Sequence, residues 1–137
     1  MVTKYIKVET EGETEILDIT DDVARVVENS RIQSGIVTVF VLGSTAALTT
    51  MEYEPGLVKD FPDMLQRIAP KELDYEHEKR WHDGNGHSHV RASLVGPSIT
   101  IPIVNGTLAH GTWQQVVLIE LDVRHRSRSL LAQIMGD

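Results

Sequence analysis

The chain has 137 residues, a formal net charge of −7 with neutral histidines, and no cysteine. This length suits a single domain over residues 1–137 that buries a core without disulfides. The lack of cysteine excludes thiolate metal sites and thiol nucleophiles and indicates a reducing, cytoplasmic compartment. The acidic balance excludes a general nucleic-acid binder, which needs excess Lys and Arg to neutralise phosphates. A membrane partner is not expected, since no stretch approaches the roughly 20 apolar residues of a membrane span.

The first third of the sequence carries strand patterns on either side of one helix pattern. Residues 4–9 and 15–19 alternate between apolar and polar side chains, which predicts a β-hairpin with one buried face. Thr20 and the two aspartates after it predict the start of a helix that ends at Ser34-Gly35. The nearly continuous β-branched run at 36–42 predicts a central strand covered on both faces.

A second helix and a strand-rich end follow. Apolar residues at three- and four-residue intervals predict an amphipathic helix from about 56 to 69, kinked or restarted at Pro62. Residues 71–86 are mostly charged or turn-forming and predict a long polar loop. From His87 onward the pattern predicts sheet to the end, with a tight hairpin turn at Asn105-Gly106. Two helices among many strands indicate an α+β domain, a strand-rich mixed sandwich or half-barrel.

Four of the six histidines fall between positions 77 and 89. In a strand, alternate residues point the same way, so His87 and His89 would present two imidazoles on one face. His82 is a further candidate ligand on the same segment, whereas His77 lies in a charged run that indicates a solvated face. The alternative is that His87 and His89 are polar strand ends that pack on a tryptophan and bond to backbone.

Glu120 is the candidate carboxylate ligand. It interrupts the apolar run of residues 116–121, and a carboxylate in a buried strand needs a cation or hydrogen-bond donors. Two or three histidines with one carboxylate suit zinc with one open coordination position. Magnesium is the alternative, since it favours carboxylates such as Glu52, Asp83 and Glu120.

A phosphate or carboxylate substrate has its own candidate residues. Arg91 continues the predicted face of His89, and together with the hydroxyls of Ser44, Thr45 and Thr112 it would grip such an anion. The alternative for Arg91 is an ion pair with one of the many surface carboxylates.

Four segments carry a resemblance to a known family. They are Gly-Ser-Thr-Ala-Ala-Leu-Thr-Thr at 43–50, Glu-Tyr-Glu-Pro-Gly at 52–56, Asn-Gly-His-Ser-His-Val-Arg-Ala-Ser at 85–93 and Gly-Thr-Trp-Gln-Gln at 111–115. Together they resemble the YjbQ family, often labelled secondary thiamine-phosphate synthase. The resemblance covers nearly the whole chain, in the family's order.

The resemblance implies a strand-rich α+β fold, a homotrimer with sites near subunit boundaries, a histidine-lined pocket for a metal, and a weak capacity to form thiamine phosphate. The positions that match the family's motifs are His87, His89, Thr112, Trp113, Gln114 and Glu120. One position departs from the pattern: many members carry a histidine where this chain has Gly43.

Three functions follow as hypotheses. The first is a metal-dependent enzyme that acts on a small phosphorylated substrate, with Glu52 or Glu120 as general base. Arg91 would supply the positive charge that holds the substrate's phosphate, and Gln114 would be among the substrate contacts. Its reaction would be thiamine-phosphate formation or a metal-assisted hydrolysis. The second is a trimer that binds a metal or a small anion without turnover. The third is a purely structural trimer.

Overall fold

Two antiparallel sheets form the frame of the protein, whose computed structural model describes residues 1–137. Its twelve elements, in chain order, are β1 (Val2–Glu9), β2 (Glu15–Asp18), α1 (Thr20–Ser30), β3 (Ser34–Leu42), β4 (Ala46–Met51), α2 (Pro55–Ile68), α3 (Glu76–Trp81), α4 (Gly86–Val95), β5 (Ser98–Val104), β6 (Thr107–Leu108), β7 (Gln115–Glu120) and β8 (Ser127–Gly136). The larger sheet has the order β1-β8-β3-β5-β6 and curls as a half-barrel, and the smaller has the order β2-β7-β4. The predicted α+β class is confirmed, with four helices instead of two.

The main core lies between the two sheets and under α1. Alternate residues of β3, namely Val37, Val39 and Val41, are fully buried, whereas Ile36 and Phe40 on its opposite face are each 41% exposed. The predicted central strand is therefore covered on one face only. Its other face is apolar but open, which periodicity did not distinguish from a covered one.

Strand β7, at the centre of the smaller sheet, is covered on both faces. Val116 and Leu118 belong to the core shared with the larger sheet. Val117 and Ile119 point the other way and belong to a second cluster, which α2 and α4 cover. A continuous apolar run is what such a position requires, because neither face meets water.

The predicted hairpin of the first two strands does not form. Strand β1 pairs with β8, with Ile6 opposite Leu130, and β2 pairs with β7, with Ile16 opposite Ile119. Alternation identifies the buried face of a strand but not the strand it pairs with, so two adjacent strands were assigned to each other instead of to separate sheets.

The first two helices agree with prediction in place and differ at their ends. Helix α1 stops at Ser30, with Arg31 in the left-handed conformation, and Ser34 already begins β3. Helix α2 runs through Pro62, and the side chain of Glu54 accepts hydrogen bonds from the first-turn amides. None of the four helices is both long and apolar enough to cross a membrane.

The predicted loop at 71–86 and the predicted strand at 87–94 are both wrong, because this stretch forms α3 and α4. Helix α4 buries His87, Ser88, Arg91 and Ala92, a spacing of three and four residues that belongs to one side of a helix. Since three of these four side chains are polar, a search for apolar periodicity does not find the helix.

A core truncation tests the arrangement of the layers. Leu118→Ala should cost roughly 2–5 kcal/mol of unfolding free energy, because Leu118 is fully buried between the sheets and the change leaves a cavity. Leu94→Ala is the matched control, since Leu94 is 60% exposed on α4 and should change stability little. Urea denaturation measures both, and equal losses would contradict this placement of the core.

Candidate functional site

Helix α4 places its two histidines in different surroundings. Two residues along a helix turn the side chain by about 200°, so His87 and His89 do not share a face. His87 is buried, and its Nε2 lies 2.6 Å from Oε2 of Glu13, which also binds Lys71. Burial raises the pKa of Glu13, but the hydrogen bonds from Lys71 and His87 outweigh it and hold the pKa below its ordinary value. His87 therefore has a carboxylate partner within the chain.

A histidine–carboxylate cluster forms where α3 meets α4. His77, Glu78 and Asp83 bring one ligand atom each to within 4.8 Å of one another. His77 Nδ1 lies 3.4 Å from Asp83 Oδ1 and 3.7 Å from Glu78 Oε1, is enclosed, and makes no hydrogen bond. The ring of His89 lies against that of His77, with 4.5 Å between centroids. These four residues are named the His77 cluster.

The electrostatics of the His77 cluster favour a cation. Burial lowers the pKa of His89, and the neighbouring His77 lowers it further, which keeps His89 neutral at pH 7. Burial raises the pKa of Glu78, but the amides of Gly86 and Gly84 and the side chain of His77 together outweigh it and hold the pKa below its ordinary value, so Glu78 is ionised at pH 7. Neutral imidazole and carboxylate are the forms in which these groups bind metals.

The start of α4 fixes one side of the cluster. The carboxylate of Glu78 accepts hydrogen bonds of 2.6 Å from the amides of both Gly84 and Gly86. These amides stand at the N-terminus of α4, where unpaired N–H groups and the helix dipole favour an anion. His82, which was predicted as a ligand, is exposed and ends α3 in the left-handed conformation.

Glu120 has a different partner from the predicted metal. It is fully buried, and Arg128 donates to both of its oxygens, from Nε at 2.8 Å and from Nη2 at 2.5 Å. The hydroxyl of Thr10 and the amide of Asp122 also donate to it. The need for a cation is met, but by Arg128 near the start of β8.

Asp122 extends this buried network. Arg126 donates to its Oδ2 from two nitrogens, and Thr45 donates to the same oxygen at 3.0 Å. Burial raises the pKa of Asp122, but Arg126, the Val123 amide and Thr45 outweigh it and hold the pKa below its ordinary value.

The remaining predicted residues lie apart from one another. Arg91 is buried and donates to the carbonyl of Ala69 and to Gln66, so it joins α4 to the end of α2. Glu52 is exposed just after β4.

The residues predicted for substrate binding occupy two places. Ser44 and Thr45 form the turn beside Arg128. Thr112 is exposed in a separate loop. Nearby, Gln114 and His110 line a hollow of about 260 Å³ beside β5.

Sequence reasoning missed His77 as a site residue because its charged neighbours resemble a solvated helix face. The available signal was the even spacing of six residues from His77 to Asp83 and from Asp83 to His89. This spacing becomes meaningful only once two helices joined by a tight loop are assigned to this stretch.

The fold and site define an α+β protein in which a half-barrel sheet packs on a small sheet, with a histidine–carboxylate cluster between two helices. Residues 4–137 match the family model described as UPF0047 protein YjbQ-like, and the chain belongs to this family. It is 37% identical over 134 residues to a UPF0047 protein of Methanothermobacter thermautotrophicus, covering 98% of this chain and 92% of that one. The UPF0047 protein YugU of Bacillus subtilis is 31% identical, with 97% and 98% covered.

Solved structures agree with the fold. A hypothetical protein from Aeropyrum pernix K1 superposes with a TM-score of 0.93 at 30% identity, covering 100% of both chains. A YbjQ-like protein of unknown function from Sulfolobus solfataricus P2 superposes with a TM-score of 0.90 at 32% identity, covering 99% of both.

The lowered pKa of Asp122 predicts how its contribution to stability depends on pH. Because the folded-state pKa lies below the ordinary 3.8, the ionised carboxylate stabilises the fold above that pH, and the effect is lost as the pH falls through the folded value. Asp122→Asn should therefore be less stable than wild type at neutral pH, with a gap that closes in acid. Urea midpoints measured down the pH range test this, and a gap that widens in acid would contradict it.

Proposed function

We propose that the protein binds a divalent metal of the zinc type at the His77 cluster and uses it on a small phosphorylated substrate. The observation that supports this proposal is His77 Nδ1, an enclosed nitrogen without a hydrogen bond that faces two carboxylates. An enclosed polar atom without a partner is costly, and a bound cation would relieve that cost.

The donor set favours zinc over magnesium. His77 supplies one nitrogen, and Asp83 and Glu78 supply one carboxylate oxygen each. A set that contains imidazole suits a borderline ion, with positions left open for water or substrate. Glu78 also accepts two backbone hydrogen bonds, which hold its carboxylate in place beside His77. Magnesium would instead favour an all-oxygen site.

A metal at this position would polarise a phosphoryl oxygen of the substrate. Thiamine-phosphate formation, which the family resemblance implies, and hydrolysis of a phosphate ester are the two reactions to test. Metal binding without turnover is the second candidate function. It is favoured by the fact that Glu120, a predicted general base, is held by Arg128 within the fold.

Zinc titration of metal-stripped protein by calorimetry tests the ligand set. Loss of a residue that only supports a metal ligand typically lowers metal affinity by roughly 10–100-fold. Loss of a ligand itself in His77→Ala should therefore weaken zinc binding by roughly 100-fold or more, and Asp83→Asn should also weaken it. His110→Ala is the control, because His110 lies outside the cluster and bonds to the Gln114 carbonyl. Unchanged binding by His77→Ala would refute the site.

Turnover separates the two candidate functions. Zinc-loaded wild type is assayed for thiamine-phosphate formation and for phosphate release, against His77→Ala as the blank. Activity that His77→Ala lacks supports the enzyme, and zinc binding without activity supports the binding module.

We also propose that the chain assembles as a homotrimer through the open face of the larger sheet. The apolar side chains on this face include Tyr5, Ile36, Phe40, Leu131 and Met135. They are neighbours in the sheet, since Phe40 and Tyr5 both pair with Leu131, and Ile36 pairs with Met135. Tyr5 is 64% and Met135 52% exposed, and an apolar patch of this kind marks a protein interface.

Light scattering after size exclusion tests the assembly. Wild type should elute at three times the 15.3 kDa chain mass, and Phe40→Asp should shift it to monomer because a charge would be buried in the interface. Leu94→Asp is the control on α4, away from this sheet. A monomeric wild type would refute the proposal.

A further inference from the structure

The turn at residues 43–45 joins β3 to β4 and carries unused hydrogen-bond donors. None of the three backbone N–H groups of Gly43, Ser44 and Thr45 donates a hydrogen bond within the chain. Ser44 is exposed, and its hydroxyl is also without a partner. Successive free amides in a turn that includes a positive φ form the kind of concavity that binds anions. Gly43 supplies that conformation, with a φ of 151°.

Arg128 points an unpaired nitrogen at the same turn. Its side chain is more than nine-tenths buried and is held by Glu120 and by the Thr45 hydroxyl, which accepts from Nη2 at 2.8 Å. Its Nη1 makes no hydrogen bond and faces Gly43, where an added Cβ would lie only 2.7 Å from it. The absence of a side chain at position 43 is therefore what leaves this nitrogen uncovered.

This nitrogen is open to a ligand. The side-chain atoms that are both enclosed and unpaired are His77 Nδ1 and Ser88 Oγ, so the unpaired Nη1 of Arg128 reaches the surface. A guanidinium N–H₂ presents two donors in a fixed plane, which suits the oxygens of a phosphate or carboxylate. Because the donors come from both the backbone and a side chain, a ligand needs several acceptor oxygens to bind all of them.

The turn opens on a hollow beside α4, the helix that carries His89. This hollow has a volume of about 210 Å³, and its lining includes Gly43, Ser44 and, from α4, Ala92 and Ser93. Ser93 donates to the carbonyl of His89, four residues earlier, at 2.8 Å. Ser93, which lines the hollow, therefore follows His89 by about one helical turn, or 5.4 Å, along α4.

We propose that the 43–45 turn and Nη1 of Arg128 form an oxyanion subsite, which holds a phosphate group of the substrate while another part of the molecule reaches the metal. The contact with the metal rests on the proposed function, whereas the oxyanion contact does not. Arg128 thereby takes the role that sequence analysis gave to Arg91, together with the predicted Ser44 and Thr45.

The test is a titration of ¹⁵N-labelled, metal-stripped protein with inorganic phosphate in EDTA, against chloride at matched ionic strength. Phosphate should shift the amides of residues 43–45 saturably, and chloride should not. Gly43→Ala should weaken binding at least roughly tenfold, since its Cβ would stand where the ligand meets Nη1. Absence of a saturable shift at these amides would overturn the proposal.

Two further variants control for backbone strain and for net charge. Gly43→Ala also strains the backbone, so Ser44→Ala is added; it removes one exposed donor and should weaken phosphate binding severalfold in a folded protein. Lys59→Gln on α2 removes a surface charge whose side chain does not line the hollow, and should bind phosphate as wild type does. If Lys59→Gln weakened phosphate binding as much as Ser44→Ala does, the effect would be one of net charge, and the proposed subsite would be overturned.

Failure of the metal site is distinguishable from failure of the subsite. His77→Ala should lose zinc and keep phosphate binding, whereas Ser44→Ala should keep zinc and lose affinity for phosphate. If His77→Ala abolished phosphate binding in EDTA, the anion would reside at the His77 cluster, and the subsite at the turn would be wrong.

Discussion

The ion pair between Glu120 and Arg128 crosses from one sheet to the other. Glu120 ends β7 in the smaller sheet, on the face that Val116 and Leu118 direct towards the larger sheet. Arg128 stands at the start of β8 on the inward face of the larger sheet. Both side chains are almost free of solvent, and removing either partner of such a pair leaves an uncompensated charge, at a cost of about 3–5 kcal/mol.

The same pair organises the surroundings of the candidate site. Thr10 after β1 and Thr45 before β4 both bond to it, so four separate parts of the chain converge on one salt bridge. Thr45 also bonds Asp122, and Oδ1 of Asp122 lies 3.4 Å from the amide nitrogen of Asn85 at the head of α4. Polar contacts therefore lead from the sheet interface to the N-terminal end of α4, two residues from Asp83.

Sequence periodicity was informative where one side of an element is apolar. Helix α2 could be predicted for that reason, whereas the alternating burial of β3 could not, because its open face is apolar as well. Helix α4 could not be predicted in this way, because the side it buries includes the polar residues His87, Ser88 and Arg91. The hydrogen-bond partners of His87 and Arg91 come from other elements and depend on the tertiary fold. The need of Glu120 for a cation was predictable from burial. The identity of that cation depended on how β8 packs against β7, which a single sequence does not encode locally.

The position of β7 determines how the protein unfolds. Each of its faces closes a different apolar cluster, one shared with the larger sheet and α1, the other with α2 and α4. Loss of the layer that covers one cluster therefore exposes β7, which also closes the other cluster. The half-barrel and the helical layer that carries the His77 cluster are therefore a single cooperative unit, and local opening is confined to segments that do not touch this strand.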